Sequence, residues 1–124
     1  MNAEGLTTLG RTWIMTDYSF QVPNWDRRAA FKWYPGDAHV DVLAADAYNW
    51  HECRTGSPNN WKSLETIIDD FRIFGTNHPT KQLMLTEFGS VEDPNDPNRK
   101  AEWFEDAQDL FKDCLLYTSD AADE

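Results

Sequence analysis

Cysteine, positive charge and long apolar runs are all scarce in this 124-residue chain, and each shortage excludes something. Only two cysteines occur, Cys53 and Cys114. The second lies in a carboxyl-terminal segment set aside below, so Cys53 stands alone and no internal disulfide framework is expected. Its thiol is read as an inert buried or loop group. Basic residues number 11 against 22 acidic ones, a net charge of -11. That sign argues against nucleic acid as a partner and for neutral or cationic ligands. No apolar stretch is long enough to cross a bilayer, so no membrane partner is expected. The opening MNAEGLTTLG has neither the basic nor the apolar region of a secretory leader. There is no internal repeat and no low-complexity linker, and the length permits one small domain.

The last eleven residues, CLLYTSDAADE, resemble translated read-through of a sequencing-library transposon adapter. Residues 114–124 are therefore expected to be an artefactual tail, with genuine sequence over 1–113. Setting the tail aside leaves the chain acidic, because it holds only Asp120, Asp123 and Glu124 among charged residues.

What remains alternates strand and helix. Strands are expected at Thr12–Tyr18, Val40–Tyr48 and Gln82–Glu87, each with apolar or aromatic residues near its middle. Between the second and third, Leu64, Ile67, Ile68, Phe71 and Phe74 form one stripe of an amphipathic helix, closed by Gly75. Ala101, Phe104, Ala107, Leu110 and Phe111 repeat that spacing after the third strand. Such alternation predicts an α/β fold, a parallel sheet with helices outside. A closed (β/α)8 barrel takes about 250 residues, so three strand-helix units are expected to be a piece of something larger, with Ile14, Leu43 and Leu85 among the candidates for the face that fills the barrel centre.

The third strand ends in a particular way. In QLMLTEFGS, residues 82–90, an apolar run stops at the carboxylate of Glu87, followed by Phe88 and Gly89. Parallel sheets bind ligands at the carboxyl ends of their strands, so an acid there is a site candidate. A helix-capping or ion-paired glutamate is the plainer alternative.

The stretch YPGDAHVDVLAADAYNW, residues 34–50, gives that acid a context. It resembles the clan A glycoside hydrolases, and within them glycoside hydrolase family 26, the β-mannanase family. Tyr34 to Asp37 match that family's Tyr-Pro-Gly-Asp turn, Val40 and Asp41 the opening of its sixth strand, and Tyr48 and Asn49 the close of that strand. Glu87, Phe88 and Gly89 match the end of its seventh. Val42 stands where the family usually has Trp, and Ala44 where it often has Gly. The resemblance covers roughly residues 11 to 113 and implies a partial TIM barrel, strands five to seven, within a truncated catalytic domain.

It also implies a chemistry. Retaining glycosidases need two carboxyl groups, one to attack the anomeric carbon and one to protonate the leaving oxygen. By resemblance Glu87 is the nucleophile and Tyr48 donates the hydrogen bond that orients it. The acid/base would close a fourth strand upstream of Met1, so this chain alone is expected to be inactive. Its parent would be a secreted, extracellular endo-β-glycosidase acting on β-mannan or a related plant polysaccharide, without a cofactor. A noncatalytic carbohydrate-binding relative, and a β-glucanase or xylanase of the same clan, stay open as alternatives.

Other residues complete the candidate list. Trp50, just past the second strand, is placed to stack on a sugar ring or to pack its loop. Asp17 and Tyr18, expected to close the first strand, could line the same cleft. Glu52 is read as a solvated loop acid, while Trp25, Trp33 and Trp61 are read as packing residues. The loop EDPNDPN, residues 92–98, has alternating Asp and Asn oxygens but lacks the glycine and distal glutamate of a known calcium loop, so it is read as helix-capping. His39, His51 and His78 have no metal spacing.

Overall fold

The computed structural model describes residues 9–53, 59–114 and 117–118. Strand β1 is Thr12–Thr16, β2 Val42–Asn49 and β3 Gln82–Ser90, with helices α1 Asp17–Gln21, α2 Leu64–Thr76 and α3 Arg99–Cys114. A last strand, β4, is the two-residue pair Tyr117–Thr118, which lies in the segment resembling adapter and runs beside Met84 and Leu85. The rest of 114–124, apart from Cys114, lies outside the described residues. All strand pairs are parallel, in the order β1-β2-β3-β4. The chain is thus α/β, as the alternation predicts.

Register decides which residues meet the helices. Trp13 lies beside Leu43, and Leu43 beside Leu83; Ala45 lies beside Leu85. These residues share the face that packs on Leu64, Ile67, Ile68 and Phe71 of α2 and on Trp103, Ala107 and Leu110 of α3. Period-two alternation puts Thr12, Ile14 and Thr16 of β1, and Val42, Ala44, Asp46 and Tyr48 of β2, on the opposite face. Sequence reasoning puts Ile14, Leu43 and Leu85 together at a barrel centre. The structure corrects this: Leu43 and Leu85 are buried under the helices, while Ile14 is 46% exposed on the uncovered face. A pair of substitutions separates the faces. Phe71→Ala, at the middle of the covered side, is expected to cost about 3–5 kcal/mol, and Ile14→Thr less than about 0.5, by chemical denaturation.

The ends of the elements follow local chemistry. β1 stops two residues earlier than its apolar pattern suggests, because Asp17 and Tyr18 open α1, where the Gln21 side chain donates to Asp17 Oδ2 at 2.7 Å across one helical turn. β2 begins at Val42 rather than Val40, after the backbone N–H groups of Asp41 and Val42 both donate to the Arg11 carbonyl. Ser63 caps α2 by accepting from the Thr66 N–H at 3.2 Å. Gly75 does not close that helix. It is buried inside it, where an added Cβ would sit 2.7 Å from both methyls of Leu83, so its hydrogen side chain permits the close approach of α2 and β3.

Aromatic residues fall on both sides of expectation. Phe20 of α1 packs against Trp13, Phe71 and Phe74, and Tyr34 edges onto Trp13 and Phe74, filling the corner between α1, α2 and the sheet. On α3 the buried line is Trp103, Ala107 and Leu110, whereas Ala101 is exposed and Phe104 39% exposed. Trp61 does pack, between His51 and the Arg99 guanidinium. Trp25 and Trp33 do not: they are 81% and 63% exposed on the loop joining α1 to β2, where the Trp33 indole N–H donates to the Arg27 carbonyl.

Candidate active site

A single extra residue puts Glu87 on the uncovered face of the sheet. Leu83 and Leu85 face the helices, and strict alternation would send Glu87 the same way, into the apolar layer. The pairing instead shifts between Ala45 and Asp46 of β2: Ala45 lies beside Leu85, but Asp46 lies beside Glu87, leaving Thr86 as a bulge. Beyond it Glu87 shares the uncovered face with Asp46 and Tyr48. Phe88, now beside Ala47, turns under the helices against Trp103 and Phe111.

On that face the Tyr48 hydroxyl donates to Glu87 Oε2 at 2.7 Å. The carboxylate that accepts this bond lifts the Tyr48 pKa above its usual value near 10, aided by burial and by the charges of Glu87 and Asp46. Neutral Tyr48 is therefore the form held in the structure. The sign of the pH effect follows: the donated bond is complete below the ordinary tyrosine pKa and is lost as pH rises through the higher folded value. Tyr48→Phe keeps the ring and removes the donor, and in a full-length parent enzyme it is expected to lower kcat about ten- to a thousandfold. Steady-state rates and the alkaline limb of the pH profile measure it, and unchanged values for both would reduce Tyr48 to a packing ring.

A cleft of about 260 Å³ opens beside Tyr48, lined in part by Asp17, Tyr18, Tyr48, Trp50 and Lys62. The candidates from two separate stretches of sequence, residues 17–18 and 48–50, thus converge at the carboxyl ends of β1 and β2, while Glu87 is reached through its bond to Tyr48 and is not itself among the lining residues. Trp50 is partly exposed, its ring 5.3 Å from that of Tyr48. Tyr18 is also partly exposed and lies under the Arg28 guanidinium, which is fixed to Asp26 by two side-chain hydrogen bonds. Burial raises the pKa of Asp17, against the hydrogen bond from Gln21, so it holds its proton to higher pH than an ordinary carboxylate.

Asn49 and His51, which line part of the same cleft, belong to a polar layer that sequence reasoning missed. Asn49, almost fully buried, donates to Ser90 Oγ at 2.9 Å and accepts from the Lys62 N–H at 3.1 Å, tying β2 to β3 and to the approach to α2. His51 is buried with φ of 37°, a left-handed conformation unusual outside glycine. Its Nδ1 accepts from the Asn60 N–H, and its Nε2 lies 4.0 Å from Asp93 Oδ1. Asp93 takes its main partner from Arg99, at 2.7 Å, and that bond heads the causes holding its carboxyl below the usual range. The EDPNDPN loop is folded on its own groups: Asp93 Oδ1 accepts from the Asn95 N–H and Asp96 Oδ1 from the Asn98 N–H before α3 begins. Glu52 and Cys53 are exposed in the turn after Trp50, on the solvent side of this layer.

Only a tertiary signal could have found Asn49 and His51, because they are polar groups whose partners lie 9 to 41 positions away. No protein-family model matches the chain, and no curated protein matches it significantly.

Proposed function

We propose that the chain is the carboxyl-side part of a retaining endo-β-glycosidase with a (β/α)8 barrel, similar to glycoside hydrolase family 26, that cleaves β-mannan or a related plant polysaccharide outside the cell. The Tyr48–Glu87 hydrogen bond, at the carboxyl ends of adjacent parallel strands, is the observation that supports it most. The ends of parallel strands are where such folds place chemistry, and a nucleophilic carboxylate needs a donor that fixes its attacking oxygen.

In this reading Glu87 attacks the anomeric carbon, a glycosyl ester forms as the glycosidic C–O bond breaks, and the leaving oxygen takes a proton from an acid on another strand. Water then cleaves the ester with the same group acting as base. Tyr48 holds Glu87 in line, Trp50 offers a face for a sugar ring, and Asp17 and Tyr18 contact hydroxyl groups along the cleft. No cofactor has a step to perform.

Trapping tests the assignment. A full-length parent treated with a 2-deoxy-2-fluoro-β-mannosyl fluoride is expected to carry the label as an ester on the Glu87 peptide, read by mass spectrometry. Labelling on a different carboxylate would overturn the role given to Glu87. A protein that binds galactomannan but never takes the label would be a noncatalytic relative.

A further inference from the structure

The bulge that turns Glu87 outward is held by one hydroxyl. Thr86 Oγ1 donates to Asp46 Oδ1 at 2.6 Å and lies 3.4 Å from the Ala45 carbonyl. Ala45 and Asp46 are the two β2 residues between which the register shifts. The extra residue of β3 is thus fastened to both sides of the break it creates. A bulge interrupts the ladder and leaves its extra residue without a partner, so a side chain that bonds across the break replaces part of what the backbone loses.

Two alternative arrangements show what the fastening prevents. Without the shift, Glu87 would enter the apolar layer and Phe88 would leave it, which would bury a carboxylate with no charged partner and expose an aromatic ring. If the bulge moved one residue toward the carboxyl end, Glu87 would become the unpaired residue and its carboxylate would lose its fixed distance to Tyr48. Asp46 also contributes through its charge, since it is among the groups acting on the Tyr48 hydroxyl.

We propose that Thr86 is a positioning residue for Glu87: its hydroxyl, bonded to Asp46, locks the one-residue bulge that aims the carboxylate at Tyr48. The catalytic half of this inference rests on the reading of Glu87 as nucleophile. The geometric half does not.

Thr86→Val removes the hydroxyl and keeps the branched shape, while Thr86→Ser keeps the hydroxyl. In the full chain labelled with 13C at tyrosine Cζ, and with the Tyr48 signal assigned through Tyr48→Phe, Tyr48 is expected to titrate above its ordinary value. Thr86→Val should move it back toward that value, and Thr86→Ser should not. In a full-length parent, Thr86→Val is expected to lower kcat about ten- to a hundredfold with KM little changed, the cost of misplacing a reacting group, and Thr86→Ser to restore it. An unaltered Tyr48 titration together with an unaltered kcat in Thr86→Val would overturn the proposal. A shifted titration with Glu87→Ala fully active would keep the positioning role and remove the nucleophile. If Thr86→Val has no cooperative melt, Thr86→Ala takes its place. Failure of both to fold while Thr86→Ser folds would make the hydroxyl a structural requirement rather than a positioning one, and the proposal would fall.

Discussion

In a full-length parent enzyme, Glu87→Ala is expected to lower kcat by roughly 10⁴- to 10⁶-fold, the scale seen when a covalent nucleophile is removed. At about 1.36 kcal/mol per decade, the loss is about 5.5–8 kcal/mol of transition-state stabilisation. Stability should barely change. Glu87 is exposed on the uncovered face of the sheet, its hydrogen-bond partner there is the Tyr48 hydroxyl, and truncation to Ala opens no cavity among Leu85, Phe71 and Trp103. The substitution therefore separates chemistry from folding more cleanly than a core change could. Azide supplies a second reading of the same variant. A small anion entering the space left by the carboxylate attacks the anomeric carbon from the side Glu87 occupied, and the product is a glycosyl azide of inverted configuration. Rate recovery with azide would tie the loss to the missing nucleophile. Near-wild-type turnover of Glu87→Ala without azide would remove Glu87 from the reaction altogether.

How far the sequence could be read depended on whether a feature was local. Helix α2 was legible because Leu64, Ile67, Ile68 and Phe71 repeat with the helical period and all four end up buried. Helix α3 offered two overlapping apolar stripes, and the choice between them is made by Phe88 and the Lys62 carbonyl, which take the Trp103 ring and its indole N–H. Neither partner is near Trp103 in sequence. The exposed Trp25 and Trp33 show the one-way character of the hydrophobic rule: large side chains are often buried, but nothing in composition obliges a given one to be.

The bulge explains the most instructive error. By alternation Leu85 and Glu87 belong to one face, so placing Glu87 toward a ligand also places Leu85 there. The inserted Thr86 separates them, sending Leu85 to the helices and Glu87 to the uncovered face beside Tyr48. A bulge adds a residue without adding a pattern, and only the pairing with β2 reveals it. The convergence of Asp17, Tyr18, Tyr48 and Trp50 was legible for the opposite reason. Residues just past the ends of neighbouring parallel strands meet whatever the details of packing.

The second large effect concerns the chain by itself: the 124 residues alone are expected to release no reducing sugar from galactomannan or β-glucan. Breaking a glycosidic bond by retention takes a carboxylate on one side of it and a proton donor on the other, about 5–5.5 Å apart. The described carboxylates at this end of the sheet do not offer that pair. Asp46 lies beside Glu87 on the next strand of the same sheet, so both approach a substrate from one side, and its Oδ1 is already bonded to Thr86. Glu52 is exposed in the turn after Trp50. Asp17 has the raised pKa of a proton donor, but its Oδ2 is bonded to Gln21 and it stands at the end of β1, two strands from Glu87. A positioned acid is worth roughly 10² to 10⁴ in rate, and without one the leaving oxygen must depart as an alkoxide. A reducing-sugar assay over long incubation is the measurement. Hydrolysis that disappears in Glu87→Ala would show that this chain carries a complete active site. Its further disappearance in Asp17→Asn would identify Asp17 as the acid, with the cleft between α1 and Trp50 as the place where the leaving group is protonated.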